Sequence, residues 1–299
     1  MLGRRLLGSV AAIVPLLGIL WLDDHYNGGR PGLCLIPLAL LVAIAASGEL
    51  VHLLRHGSVS IPLFPVMIGA TGVTIASSAP LLWKEYPVDC PIGGWGWTLF
   101  GLAAAFSGLF IVEMRRFQKP GEASVRVALS MMTVLYATLP LAFLLQMRLQ
   151  QPTRWGLLMI VSVMFVVKVA DAGAYFTGKS IGHHKMAPVL SPKKTWEGAA
   201  GAVAAAVAAA WVYLRWLAPW IMGADVPAGS TWAIVGYGAT LALAGMVGDL
   251  SESLLKRDME TKDSAAWLPG LGGALDVLDS MQLATPVAFL WWVSGWLPG

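Results

Sequence analysis

Residues 155–176 read WGLLMIVSVMFVVKVADAGAYF, an apolar run long enough to cross a lipid bilayer as one helix. Windows of comparable length and apolar content recur along the rest of the chain, near 6–22, 33–54, 61–83, 95–114, 127–146, 198–222, 231–249 and 283–297. A bilayer-spanning helix needs about 20 mainly apolar residues, so these windows predict an all-α, polytopic transmembrane helical bundle of about nine spans.

The composition agrees with this fold class. Hydrophobic residues make up 57% of the 299 residues and charged residues only 12%. That charged share is too small to cover the surfaces of two water-soluble domains. Two cysteines, Cys34 and Cys90, exclude a disulfide scaffold. The net charge of +3 is small, and we expect membrane lipid around the chain and no nucleic acid as a partner.

Lysine and arginine are distributed unequally between the two sides of the predicted bundle. With the N-terminus in the cytoplasm, 14 of the 20 lie inside and 4 outside, while Lys168 and Arg215 lie within or near spans. The four outside are Arg30, Lys84, Arg148 and Arg154. The positive-inside rule therefore predicts a cytoplasmic N-terminus, with both long polar segments, about 177–197 and 250–281, on the cytoplasmic side. We divide the chain into an N-terminal transmembrane region, 1–150, with about five spans, and a C-terminal catalytic region, 151–299, that contains both polar segments.

The second polar segment is rich in acidic residues. Residues 251–280 read SESLLKRDMETKDSAAWLPGLGGALDVLDS and hold over a third of the acidic side chains of the chain. Asp249, Ser253 and Lys256 recur at i, i+4 and i+7, so a continuing helix would present them on one face.

Farther along, Gly272 and Gly273 permit a backbone that phosphates can approach closely, and Asp276 and Asp279 follow on one helical face. Carboxylates, lysines and a glycine turn together are typical of a Mg²⁺–nucleotide site, and an ordinary solvated loop is the alternative.

The first polar segment follows Asp171, an acidic residue within or at the end of an apolar span, where ionisable groups are costly and usually functional. Lys168 lies three residues earlier and can pair with it, so a purely structural ion pair is the alternative.

In the same segment, Ser191-Pro-Lys193-Lys194-Thr195 places two cations and two hydroxyls just before a predicted helix. That arrangement suits a triphosphate, although a basic membrane-facing loop would look similar. We interpret His183 and His184 as solvated loop residues.

One pattern in this region resembles a nucleotide-binding loop. Residues 173–180, GAYFTGKS, fit the string GxxxxGK[ST], which requires a preceding strand in an α/β sheet. Here a run of membrane length precedes it, so we predict that the match is accidental.

These motifs resemble those of the phosphatidate cytidylyltransferase (CDP-diacylglycerol synthase) family. The closing signature of that family matches Ser253, Leu255, Lys256, Arg257, Lys262, Asp263, Pro269, Gly272, Gly273, Asp276 and Asp279. The segments 171–182 and 191–198 resemble two further family elements. Two positions depart from the pattern, since Leu271 and Val277 stand where the family usually has His and Arg. We hypothesise that Lys168 replaces the missing Arg charge, with a local Lys168–Asp171 pair as the alternative.

The resemblance implies a CTP-dependent enzyme of phospholipid biosynthesis that joins CTP to phosphatidate and releases pyrophosphate. The residues assigned to catalysis are Asp249, Lys256 and Asp276. Those assigned to nucleotide or phosphate binding are Ser191, Lys193, Lys194, Thr195, Ser253, Lys256, Arg257, Lys262, Gly272 and Gly273. Those assigned to metal are Asp249, Asp276, Asp279, Asp171 and Asp263. We expect the carboxylates of Asp249 and Asp276 to converge on one site.

The same resemblance implies Mg²⁺ as the cofactor, with a second cation as a further option, and a homodimer as a further expectation. We expect the inner membrane of a bacterium as the location, with the active site facing the cytoplasm. Three alternatives stay open: a CTP-dependent lipid-alcohol kinase, a CDP synthase acting on ether-lipid phosphates, and a catalytically silent membrane protein on the same scaffold.

Overall fold

The computed structural model describes residues 15–57, 59–87, 89–118, 120–151, 153–223, 229–261 and 273–297. Within these ranges the chain is almost entirely helical, which confirms the predicted all-α class. The helices are α1 (residues 15–25), α2 (Leu35–Leu54), α3 (Leu63–Ser78), α4 (Gly93–Arg116), α5 (Ala123–Gln150), α6 (Arg154–Ile181), α7 (Trp196–Val212), α8 (Ala218–Met222), α9 (Thr231–Asp258), α10 (Ala274–Leu278) and α11 (Met281–Val293).

Three shorter elements complete the described structure. A 3₁₀ turn, Ala79–Leu82, extends α3, and a π-helical turn, Tyr213–Leu217, joins α7 to α8. Strands β1 (Lys185–Ala187) and β2 (Ser191–Thr195) form a small antiparallel hairpin between α6 and α7.

Seven of the helical segments in the described ranges are long and apolar enough to cross a membrane. They are Leu35–Leu54, Leu63–Leu82, Gly93–Arg116, Ala123–Gln150, Arg154–Ile181, Trp196–Met222 and Thr231–Asp258. Each coincides with a predicted window, so the chain carries the helices of an integral membrane protein.

The first and last predicted windows differ from the other seven. The window 6–22 lies partly outside the described residues. The window 283–297 contains α11, which has 13 residues. At about 1.5 Å per residue α11 is about 20 Å long, shorter than the roughly 30 Å hydrocarbon core.

The chain forms two compact units. Unit one comprises Met1–Pro152 and Lys256–Leu278, and unit two comprises Thr153–Leu255 and Asp279–Gly299. The division drawn from the sequence, 1–150 and 151–299, stays a prediction. Lys256–Leu278 belongs to unit one although the residues before it belong to unit two. The sequence could not indicate this, because short-range motifs carry no information about which distant helix a segment packs on.

Unit one is built around α3, which packs against α2, α4 and α5, and α10 packs against α2. Unit one also contains a buried ion pair in which Arg148 Nε donates to Asp23 Oδ2 at 2.9 Å. Asp23 also accepts the backbone N–H of Gly32 at 2.8 Å. Arg148, which was counted from sequence among the outside loop charges, thus belongs to α5 and is 1% exposed.

Unit two is built around the contact between α6 and α7, the most extensive helix pair in the described structure. Small residues allow it, since a Cβ on Gly201 of α7 would collide with the side chain of Thr177 on α6. Residues 173–180 lie inside α6, with no preceding strand, so the GxxxxGK[ST] match is accidental, as predicted.

Candidate active site

In unit two, acidic and basic side chains form what we call the Asp249 cluster, whose members are Lys168, Asp171, Lys194, Asp249, Asp279 and Ser280. Asp249 lies on α9, and its Oδ2 is 2.8 Å from the Lys194 ammonium of β2. The tip of Lys194 is buried and makes no directed hydrogen bond to any residue that the structure describes, so its contact with Asp249 is an ion pair. A lysine assigned to phosphate and a carboxylate assigned to metal therefore neutralise each other here.

The second part of the Asp249 cluster is centred on Asp171. Lys168 Nζ lies 3.3 Å from Asp171 Oδ2, one helical turn away on α6. The Ser280 hydroxyl approaches the same oxygen at 3.4 Å. The local Lys168–Asp171 pair, the alternative raised from sequence, is therefore present. Lys168 also acts electrostatically on Asp279, so its charge serves two carboxylates of the cluster.

Asp279 lies in the turn before α11, outside the candidate spans. Its Oδ1 accepts hydrogen bonds from the backbone N–H of Ser280 and from the Ser280 hydroxyl, the latter at 2.9 Å. Burial, reinforced by the negative charge of Asp249, raises the pKa of Asp279 to about 6, although Lys168 and the bonds from Ser280 oppose the rise. The ionised form of this carboxylate is therefore unfavourable without an added cation.

The donor chemistry of the Asp249 cluster fits Mg²⁺. Carboxylate oxygens are the ligands this ion prefers, and it usually takes one or two of them together with waters and substrate phosphates. Asp249 and Asp279 supply two carboxylates that repel each other. Within the described ranges, no group of three or more His, Cys, Asp or Glu side chains forms a metal centre made of protein ligands alone.

Unit one contains a second group, the Asp276 cluster, whose members are Glu49, Lys256, Gly273 and Asp276. Lys256, in the last turn of α9, places its ammonium 2.7 Å from Asp276 Oδ1. The other oxygen, Oδ2, accepts the backbone N–H of Gly273 at 2.8 Å. Both oxygens of Asp276 are thus oriented, one by a cation and one by the backbone.

Glu49 is the member of this cluster that sequence reasoning missed. It lies on α2, is 2% exposed, and accepts the backbone N–H groups of Ala274 at 2.8 Å and Leu275 at 3.0 Å. A usable signal existed, because a glutamate inside an apolar span is costly and usually functional. That argument was applied to Asp171 and not to Glu49.

Gly273 has a different environment from the one expected. We predicted that it leaves room for phosphate, but a Cβ there would collide with the Glu49 carboxylate. The small residue therefore admits a carboxylate of the protein itself, and its N–H is already bound to Asp276. Its contact with phosphate stays a prediction.

Two residues near the hairpin organise the start of α7. The Thr195 hydroxyl, assigned from sequence to phosphate, accepts the N–H of Gly198 at 3.1 Å and thereby caps the helix. His184 Nδ1 lies 2.6 Å from Glu197 Oε1 while its side chain is 81% exposed, in keeping with a solvated loop residue.

The other assigned residues complete the comparison with the sequence. Ser191 begins β2 opposite Ala187, and Lys193 of β2 is exposed. On α9, Ser253 is half-buried and Arg257 is exposed. Lys262, Asp263 and Gly272 lie outside the described residues, as do Leu271 and the side chain of Val277. The convergence of Asp249 with Asp276 stays a prediction.

Several known proteins are similar to this chain in sequence. Phosphatidate cytidylyltransferases of Haemophilus influenzae and Pseudomonas aeruginosa are 37% and 40% identical to it, each over 148 residues. These alignments cover 48% and 49% of this chain and 50% and 51% of the relatives, so the chain spans about half the length of these curated relatives. A phosphatidate cytidylyltransferase of Mycobacterium bovis is 28% identical over 271 residues, 85% of this chain and 79% of that protein. A family model described as the cytidylyltransferase family matches residues 4–294, and the chain therefore belongs to the cytidylyltransferase family.

Proposed function

We propose that the protein is a CTP-dependent nucleotidyltransferase that converts phosphatidate into CDP-diacylglycerol and pyrophosphate. The observation that carries this proposal is the pairing of assigned carboxylates with assigned lysines, Lys194 with Asp249 in one unit and Lys256 with Asp276 in the other. Such pairs supply what a metal–triphosphate complex needs, oxygen ligands beside cations. Family membership and the names of the relatives support the same activity.

In the proposed reaction, a phosphate oxygen of phosphatidate forms a bond to the α-phosphorus of CTP. The bond from that phosphorus to the oxygen bridging the β-phosphate breaks, and pyrophosphate leaves with the electron pair. The attacking phosphate is already anionic, so the reaction needs no general base from the protein. Catalysis of such transfers rests on positioning and on neutralising charge.

The cationic side chains have distinct tasks in this proposal. Lys194 and Lys256 are each held by a carboxylate, so their ammonium groups are positioned before any substrate arrives. Lys193 is exposed on β2 and adds positive charge for the triphosphate. Lys168, paired with Asp171, offsets part of the negative charge around Asp279.

Mg²⁺ is the cofactor that we propose. In unit two, Asp249 and Asp279 are the carboxylates that would hold it together with waters and substrate phosphates, with Asp171 beside them. When bound, the ion neutralises charge on phosphate oxygens and orients them. The raised pKa of Asp279 supports this assignment, because a buried carboxylate beside a like charge gains stability from a cation.

We also propose that the protein acts in the inner membrane of a bacterium with its active site facing the cytoplasm. The unequal distribution of lysine and arginine, 14 against 4, supports this orientation, and the similar proteins come from bacteria. The homodimer stays a prediction.

The decisive experiment incubates the purified protein with CTP and Mg²⁺ and, in separate reactions, with phosphatidate, an ether-lipid phosphate or a lipid alcohol, and it identifies the products. Pyrophosphate and a CDP-lipid are expected, and Asp249→Asn in the same preparation should form neither. CDP with a newly phosphorylated lipid alcohol would instead show a kinase. Turnover of an ether-lipid phosphate but not of phosphatidate would show the ether-lipid enzyme. No turnover of any of these lipids would show a silent scaffold.

A further inference from the structure

The short helix α10 carries Asp276 and begins just after Gly273, a residue without a side chain. The first N–H groups of any helix have no acceptor within the helix. In a capping box, the residue before the helix accepts one of them through its side chain, while an acidic residue three positions later binds back to its N–H. Asp276 makes the second bond, to Gly273 N at 2.8 Å, and Gly273 has no side chain to make the first.

Glu49 supplies the missing half of this capping box from another helix. Its two oxygens accept the first two N–H groups of α10, those of Ala274 and Leu275, at 2.8 and 3.0 Å. The donors and the acceptor are 225 and 226 positions apart in the sequence. Glu49 also occupies the space that a side chain at Gly273 would need, so the glycine and the glutamate depend on each other.

We infer that Glu49 is a positioning residue for Asp276. It fixes the first turn of α10, and that turn directs the Asp276 carboxylate toward Lys256, whose ammonium is 2.7 Å away. The inference rests on the proposed function and on the roles in catalysis and metal binding that the family resemblance implies for Asp276. Without Glu49, two backbone donors lose their acceptor, the turn relaxes, and Asp276 loses its direction.

The experiment compares four variants with the wild type: Glu49→Ala, Glu49→Gln, Gly273→Ser, and the double variant Glu49→Ala/Gly273→Ser. A displacement of about 1 Å at a catalytic group costs on the order of 100-fold in rate, so Glu49→Ala should lower kcat by about that factor. It should also raise the Mg²⁺ concentration that gives half-maximal rate. For Glu49→Gln both values should lie between those of the wild type and Glu49→Ala, because the amide keeps one acceptor oxygen.

The serine variants test the split capping box directly. In the wild type, Gly273→Ser should reduce kcat, because its Cβ collides with the Glu49 carboxylate. In the Glu49→Ala background the same serine should increase kcat, on the order of 10-fold, because its hydroxyl restores a local cap. The unfolding temperature should show the same reversal of sign, because the serine hydroxyl restores the cap only where Glu49 is absent.

Glu113→Gln is the matched control. Glu113 is also a buried glutamate of unit one, 5% exposed, and its Oε2 binds Arg126 at 2.8 Å. This variant should keep the Mg²⁺ requirement of the wild type even if it lowers the unfolding temperature.

Hydrogen exchange separates this inference from the proposed function. With no substrate present, the amides of Ala274 and Leu275 should exchange at least about 10-fold faster in Glu49→Ala than in the wild type. Their exchange rates should be unchanged in Glu113→Gln. If the wild type formed no CDP-lipid, the proposed function would fail, while exchange and the sign reversal in unfolding temperature would still decide the cap. Unchanged exchange, an unchanged Mg²⁺ requirement in Glu49→Ala, or a serine equally harmful in both backgrounds would each overturn the inference.

Discussion

Replacing Asp279 by Asn should stabilise the metal-free protein at neutral pH while impairing the proposed reaction. Burial and the charge of Asp249 raise the pKa of Asp279 to about 6, against the opposing effect of Lys168. The ionised side chain is therefore unfavourable in the folded protein. Asparagine has nearly the same shape and can still accept the Ser280 hydroxyl, but it carries no charge.

The magnitude and sign follow from the pKa. A rise from 3.8 to about 6 is about two units, and at about 1.4 kcal/mol per unit the penalty is at most about 3 kcal/mol. Because the folded-state pKa is the higher one, the linked stability is fully present below about pH 4 and is lost as pH rises through about 6. Asp279→Asn should therefore match the wild type near pH 4 and exceed it by about 2–3 kcal/mol near pH 8.

The assay is thermal unfolding in detergent with EDTA across this pH range. Asp258→Asn is the control, since Asp258 is an exposed acid at the end of α9, and it should give no gain that grows with pH. Mg²⁺ should stabilise the wild type more than Asp279→Asn. A gain that is absent at pH 8, or equal at both ends of the range, would refute the claim that an unfavourable buried charge lies at this position.

Three further predictions follow from the remaining contacts. Lys194→Ala should raise the KM for CTP roughly 10-fold or more, since a hydrogen bond to a charged group contributes about 1.5–3 kcal/mol. The control Lys185→Ala should leave the KM for CTP unchanged. An equal rise in the KM for phosphatidate in Lys194→Ala would contradict this prediction. Arg148→Met should lower the free energy of unfolding by about 3–5 kcal/mol because it leaves Asp23 buried without its cation, and an unchanged unfolding midpoint in detergent would exclude this role. Thr195→Ala should lower the free energy of unfolding by about 1 kcal/mol through the lost cap of α7, and Thr195→Ser should retain the cap. A raised KM for CTP at unchanged stability would instead assign the hydroxyl to phosphate.

The local sequence was sufficient to predict the helices and to select some residues of the candidate site. An apolar run of membrane length requires a helix because the bilayer offers backbone groups no other partner, and seven windows did form such helices. Asp171 could be recognised as a candidate because an acidic residue within or beside an apolar run is costly. Asp249 could be recognised from its spacing with Ser253 and Lys256 on one helical face. The pairing of Lys168 with Asp171 was also accessible, because it spans a single helical turn.

Only the tertiary structure decided which partners meet across long distances in the chain. Nothing near Gly273 indicates that Glu49 completes its cap, because that bond joins helices 225 residues apart. The sequence likewise places Asp23 and Arg148 at the ends of two predicted spans and does not pair them, although their side chains meet in a buried ion pair. Hydropathy and motif spacing are local properties, whereas burial, and with it the raised pKa of Asp279, depends on what packs around a group after folding.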